Sequence, residues 1–149
     1  MRKLELNYNK TMAVEPAQIP KERYSKSFEK YLGVEFEKYE DGYCEISLEV
    51  KDHHLNIGGT AHGGIINALC DIALSGAVTC NFIDKAETVV TMQMNVNFLR
   101  PGLNGDKLIA YGEVIKKGRT IYYVEGGVKN QDGKLLARAT GDWYIKRPE

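Results

Sequence analysis

The sequence predicts an α+β domain in which one long apolar helix is laid on an antiparallel sheet. Three observations predict it. Residues 64–81 are apolar at helical spacing and follow a glycine-rich segment. From residue 90 onward, apolar and polar residues alternate with the period of half-buried strands. Ahead of the helix, Asp41-Gly42 separates two short alternating runs, a strong hairpin signal. With 149 residues and 43% hydrophobic composition, the chain can build one domain with a real core.

The elements follow in order. Residues 1–20 lack periodicity and contain Pro16 and Pro20, so they read as an arm. Over residues 21–32, Tyr24, Phe28, Tyr31 and Leu32 recur at helical spacing with Lys and Glu between them, and Gly33 follows. Arm and short amphipathic helix make up residues 1–32; a single domain fills residues 33–149. Strands are expected over residues 34–39 and 43–51. In the second, Cys44, Ile46, Leu48 and Val50 alternate with Glu45, Ser47 and Glu49. The long helix is expected to pack through Ile65, Leu69, Ile72, Ala73, Gly76, Ala77 and Cys80, whose small members allow close approach to a sheet. Val90, Met92, Met94, Val96 and Phe98 then alternate with Thr91, Gln93, Asn95 and Asn97. Strands over residues 107–117, 120–129 and 135–145, with turns at Gly118 and Asp132-Gly133, complete an expected four-strand meander.

Twenty Lys plus Arg balance twenty Asp plus Glu. This gives no electrostatic reason to expect nucleic acid or an anionic membrane as the main partner. Cys44, Cys70 and Cys80 are odd in number with no Cys-x-x-Cys spacing, which fits a reduced, cytoplasmic protein and argues against a zinc ribbon. No signal-peptide core occurs in residues 1–10. Asn67, Asp71, Ser75, Thr79 and Asn81 interrupt the apolar stretch, so a helix in a protein core fits better than a membrane span. The charges are unevenly spread. Residues 53–83 carry one, Asp71, where the average composition predicts about eight.

That window holds the candidate chemistry. Asp71 sits mid-helix on an uncharged element, with Asn67 and Ser75 one turn to either side. A carboxylate there loses solvation, which suits a general base or nucleophile; the alternative is a solvated aspartate on the helix's outer face. The loop before the helix contains all three histidines, His53, His54 and His62, and glycines at 58, 59, 63 and 64. Glycines ahead of a helix leave backbone N–H groups open to an anion or a developing oxyanion. A metal held by the three histidines and Asp71 is disfavoured, because adjacent histidines diverge and no ligand spacing is recognisable. No Gly-Lys-Ser/Thr follows, so the loop is not a P-loop. Thr91, Gln93, Asn95 and Asn97 form a neutral polar face, which suits an interface or a ligand surface, or is an ordinary wet face. Lys116-Lys117-Gly118-Arg119 is a compact basic turn that suits a phosphate, with Arg100 a second candidate; charged turns are also common without function. Cys70 and Cys80 read as core.

These residues resemble the hotdog-fold acyl-CoA thioesterases of the PaaI-like, phenylacetate-degradation branch. The match runs through Asn56, Gly59-Thr60-Ala61-His62-Gly63-Gly64, Asp71, Asn97 to Gly102, Gly105-Asp106 and Lys117-Gly118-Arg119-Thr120, over residues 33–145. The resemblance implies a curved antiparallel sheet wrapped around one long central helix. It implies that Asp71 is the catalytic carboxylate, as base or nucleophile, and that the Gly63 N–H polarises the thioester carbonyl. Asn56 would orient water or substrate across a subunit interface, His62 would shape the pocket, and Thr91 would help hold the nucleophilic water. Lys117, Arg119 and Arg100 would meet the coenzyme A phosphates. Gly118 and Thr120 of the same turn, and Gly64 beside Gly63, complete the expected substrate-binding set. No metal and no separate cofactor are implied, since coenzyme A belongs to the substrate; a homodimer or homotetramer with sites between subunits is. Two other readings stand beside hydrolysis: a non-catalytic acyl-CoA-binding module, and a hotdog dehydratase acting on 3-hydroxyacyl thioesters.

Overall fold

The computed structural model describes residues 25–80 and 88–146. The arm over residues 1–20 and the first part of the expected amphipathic helix lie outside them. The chain runs α1 (Phe28–Leu32), β1 (Glu35–Glu40), β2 (Tyr43–Glu49), a 3-10 turn (Asp52–His54), α2 (Gly63–Thr79), β3 (Thr88–Phe98), β4 (Lys107–Lys117), β5 (Ile121–Lys129) and β6 (Leu135–Lys146). Helix α1 starts later than residue 21 because Ser27 caps it, its side chain accepting the Lys30 N–H. Gly33 closes it at φ 81°, a conformation that favours glycine.

Among the described residues, all strands lie in one six-stranded antiparallel sheet ordered β1-β2-β4-β5-β6-β3. The expected four-strand meander is therefore corrected. Only β4, β5 and β6 follow one another in space; β3 pairs with β6 at the far edge. The segment 99–106 makes the crossing over the start of α2, where the Ala61 N–H donates to Gly102 O at 2.9 Å.

Helix α2 touches all six strands. A helix about 10 Å wide does so only if the sheet curls around it. Backbone approaches backbone closely at Gly112 on β4, where a Cβ would stand 2.5 Å from Ala73 O and 2.7 Å from Leu74 Cα. The face that α2 buries is Ile66, Leu69, Cys70, Ala73, Leu74, Gly76, Ala77 and Val78. This is rotated from the expected one: Ile65 and Ile72 are only partly covered. Curling lets the sheet enclose a broader arc of the helix than a flat layer would. Opposite it, Cys44, Ile46, Leu48 and Val50 of the hairpin are all buried, as their alternation predicts.

Candidate active site

The loop before α2 is tied down by His54. Its buried ring accepts the Lys51 N–H at Nδ1 (3.0 Å) and meets Leu32 O through Nε2 (3.0 Å), so Nε2 carries the proton. Burial first, and the neighbouring His53 second, hold His54 below the ordinary histidine pKa. The His54 carbonyl accepts the His62 N–H at 2.8 Å. With both ring nitrogens engaged, His54 belongs to the scaffold. Among the described residues, no group of three or more His, Cys, Asp or Glu is arranged to hold a metal ion.

His62 is the N-cap of α2, its Nδ1 accepting the Gly64 N–H at 2.8 Å. The Gly64 donor is thus taken within the chain. The N–H of Gly63, the first helical residue, has no protein acceptor among the described residues. It stands at the positive end of the helix dipole, suited to a developing oxyanion. The Phe98 ring lies beside it, 3.7 Å from where a Gly63 Cβ would be. Ala61, Gly63, Ile66 and residues 98–102 line an open cleft of about 380 Å³ here. Arg100 is at its rim, with Nη1 donating to Leu135 O at 2.9 Å.

Asp71 is half-buried, two turns further along α2. Its Oδ1 accepts the Thr91 hydroxyl at 2.9 Å and faces the Ser75 hydroxyl at 3.5 Å. A β-bulge makes the Thr91 contact. The register of β3 against β6 slips between Thr91 and Gln93, leaving Thr91 opposite buried Trp143 and Gln93 opposite Asp142. The strict alternation expected over residues 90–98 is therefore broken, and so is the single neutral face. Thr91 turns to the helix side while Gln93, Asn95 and Asn97 stay on the other. Cys70, next to Asp71, is no nucleophile: burial, reinforced by the Asp71 charge, pushes its thiol up to about 12.

The remaining predicted residues lie elsewhere in the chain. Asn56 is engaged in its own loop: Oδ1 accepts the N–H groups of Gly58 and Thr60, and Nδ2 donates to Thr60 Oγ1. The turn of Lys117, Gly118, Arg119 and Thr120 sits beyond the C-terminal end of α2, at the opposite end of the sheet from Gly63. There Lys117 Nζ is paired with Asp41 at 2.6 Å, the Gly118 N–H bonds Ile121 O, and Thr120 O accepts from Ile145 N–H. Arg119 is exposed. Thus one chain brings Gly63, His62 and Arg100 together, and Asp71 and Thr91 together, but does not join the two groups. Eight residues of helix put Gly63 and Asp71 about 12 Å apart along the axis. Both would have to stand about 3 Å from one carbonyl carbon and its oxygen to act together.

Two side chains in this arrangement were not singled out from the sequence. Phe98 appears there as an apolar member of a strand and within the matching stretch Asn97 to Gly102, with no role of its own. Trp143 falls inside the strand expected over residues 135–145, and its indole Nε1–H donates to Ser75 Oγ at 2.8 Å. The usable signal was that a buried tryptophan needs an acceptor, and Ser75 is one turn from Asp71.

Comparison with known proteins agrees with the geometry. Residues 58–137 match the family model of the thioesterase superfamily. Acyl-coenzyme A thioesterase 13 of Homo sapiens is 27% identical over 116 residues, which covers 76% of this chain and 81% of that protein. The structure of the E. coli PaaI protein from the phenylacetic acid degradation operon matches with a TM-score of 0.76 at 26% identity, covering 85% of this chain and 88% of that one. A hypothetical thioesterase protein of Streptococcus pneumoniae, solved with coenzyme A, matches with a TM-score of 0.70 at 31% identity, covering 77% and 91%. With six antiparallel strands curled around one helix and more than half its length under the family model, the chain belongs to the thioesterase superfamily, as a PaaI-like protein of the hotdog fold.

Proposed function

We propose that the protein hydrolyses acyl-CoA thioesters to free acid and coenzyme A in the cytoplasm, at sites shared between two copies of the chain. The observation that carries this reading is the split geometry. A carboxylate held by Thr91 and an unclaimed helix N–H at Gly63 stand on one helix, too far apart to serve the same carbonyl. Strand β3 is an exposed edge carrying Val90, Met92, Phe98 and, just beyond it, Leu99 at the surface. Antiparallel pairing of two β3 edges, with Thr91 of one opposite Phe98 of the other, would bring Asp71 of the partner subunit to Gly63. The same pairing would carry the partner's Lys117 and Arg119 toward the end of the sheet where Arg100 stands. The apolar cleft beside Gly63 then suits an acyl or pantetheine arm, and the basic residues suit the nucleotide phosphates.

A thioester carbonyl has weak resonance stabilisation, so one positioned N–H and one delivered nucleophile suffice. The Gly63 N–H would take the oxyanion. Asp71 would either deprotonate a water held by Thr91 or attack the carbonyl carbon itself. With water as nucleophile, C–S cleavage releases the free acid directly; with Asp71 as nucleophile, the same cleavage leaves an Asp71 acyl anhydride, which water then hydrolyses to free acid and the Asp71 carboxylate. In both cases coenzyme A leaves as the thiolate. Asn56, whose amide already spans its loop, would orient water or substrate from the other subunit. The dehydratase reading needs a histidine base; His62 Nδ1 is spent capping α2, which leaves Nε2–H as a donor.

Free-thiol release over a panel of aryl, arylacetyl and straight-chain acyl-CoAs tests the proposal. Turnover on at least one of them and its near-complete loss in Asp71→Asn are expected. Full activity in Asp71→Asn, or no turnover on any acyl-CoA, overturns it.

A further inference from the structure

The two oxygens of the Asp71 carboxylate are held differently. Oδ1 receives Thr91 at 2.9 Å and faces Ser75 at 3.5 Å. No donor among the described residues reaches Oδ2. Behind Ser75 stands Trp143, the only tryptophan in the chain and fully buried. Its indole Nε1 donates to Ser75 Oγ at 2.8 Å. An indole N–H donates and never accepts, so it fills a lone pair of Ser75 and leaves the hydroxyl proton to be given onward. The acceptor facing that hydroxyl is Asp71 Oδ1.

The indole cannot swing away. Its six-membered ring lies on Gly141, where a Cβ would stand 2.9 Å from Cζ3 and 3.1 Å from Cη2. On its other flank Trp143 is the cross-strand partner of Thr91, the second donor to the same oxygen. One buried side chain thus bonds one of the two hydroxyls that face Oδ1 and sits in register with the residue that carries the other.

We infer that Trp143 is a positioning residue for the reaction: through Ser75 it fixes Asp71 so that Oδ1 is tied to the protein and Oδ2 is presented to water or thioester. The inference rests on the reading of Asp71 as the catalytic carboxylate. It predicts a coupling between the indole and Asp71 that exists whether or not the enzyme turns over.

Two measurements test it. In thiol-release kinetics, Ser75→Ala and Trp143→Phe should each lower kcat about 5-fold with KM unchanged, as expected for losing one hydrogen bond to the reacting group. The double variant should lose no more than the larger single loss, because both act through one chain. Ser75→Ala keeps every apolar core side chain but leaves the indole N–H unpaired, and with urea unfolding to confirm its fold it keeps the test valid if Trp143→Phe folds poorly. Separately, emission of the single tryptophan in the wild type should change with pH at the midpoint of the acid limb of kcat. That change should vanish in Asp71→Asn and in Ser75→Ala. Other titratable groups nearby are Cys70, adjacent to Asp71, and Asp142, paired with Gln93 Nε2 on the far side of β6; their signals survive in Asp71→Asn. Unchanged kcat in Ser75→Ala, fully additive losses, or an emission profile that Asp71→Asn does not alter would each overturn the inference. An active Asp71→Asn enzyme that still abolishes the emission change would instead overturn the catalytic reading and leave the coupling standing.

Discussion

Replacing Gly63 by proline removes one hydrogen atom from the proposed site and little else. Gly63 is the first residue of α2, the helical position where proline is best tolerated because its missing N–H has no intrahelical partner. A residue before proline must be extended, and His62 already is, at φ −61° and ψ 137°. Space is available as well. A Cβ at Gly63 would meet only Phe98 ring atoms, at 3.7 and 3.8 Å, which is ordinary van der Waals contact. Gly63→Pro should therefore fold, with stability within about 1 kcal/mol of wild type. If the Gly63 N–H binds the oxyanion, its loss should cost about 100- to 1000-fold in kcat. Gly63→Ala keeps the N–H while adding the same Cβ, so it should retain kcat within a few-fold. Both variants are compared by thiol release, with urea unfolding to confirm the fold. A folded Gly63→Pro enzyme with near wild-type kcat refutes the reasoning. So does a Gly63→Ala enzyme as impaired as the proline variant, because bulk rather than the donor would then be at fault.

Two further outcomes follow from the charges around this frame. Burial holds His54 below the usual histidine range, so the folded chain resists a proton that the unfolded chain takes up below about pH 6.5. His54 thus contributes stability in full above that pH and loses it as pH falls beneath; the drop in urea midpoint between about pH 7.5 and about pH 5.5 should shrink in His54→Gln, and an equal drop in both proteins rejects this account. At the other end of the sheet, Lys117 is held by Asp41 across an exposed pair worth little to stability. Asp41→Asn should lower KM for acyl-CoA about 2-fold while leaving KM for a truncated acyl-pantetheine unchanged, and a KM unaffected for both substrates removes Lys117 from the phosphate site.

What the sequence disclosed depended on how local the determining interactions are. The Asp41-Gly42 hairpin, the Cys44 to Val50 burial face and the long helix each follow from period and turn chemistry within a few residues, and all are present. The position of β3 is not local. Its run looks like the start of a meander, yet β4 lies against β2 and the crossing over α2 sends β3 to the opposite edge. The bulge at Met92 is equally hidden, because alternation counts residues and a bulge spends one without a side chain changing type. It matters because it turns Thr91 toward Asp71. For the site, the sparse charge of residues 53–83 pointed to Asp71, and the glycines pointed to the start of α2. That Gly64 is silenced by the His62 ring while Gly63 is open depends on one side-chain hydrogen bond, which spacing cannot reveal.

The proposed pairing would also explain why a chain of zero net charge has a bare edge strand. An exposed edge with surface-lying Val90, Met92 and Phe98 is a hazard that natural sheets usually blunt with charge or proline. Strand β3 carries neither: its polar residues are Thr88, Thr91, Gln93, Asn95 and Asn97. A strand left uncharged on both faces can pair with its own copy without burying like charges, which a lysine-guarded edge could not do. Pairing is also what the chemistry lacks in one chain, since the helix that supplies both Gly63 and Asp71 holds them about 12 Å apart. A single helix cannot bend to close that gap, but in the proposed dimer two copies related by a two-fold axis would close it twice, once at each end of the paired strands. On this proposal the unguarded edge and the divided site are one feature, and losing the edge pairing would dismantle both proposed active sites together.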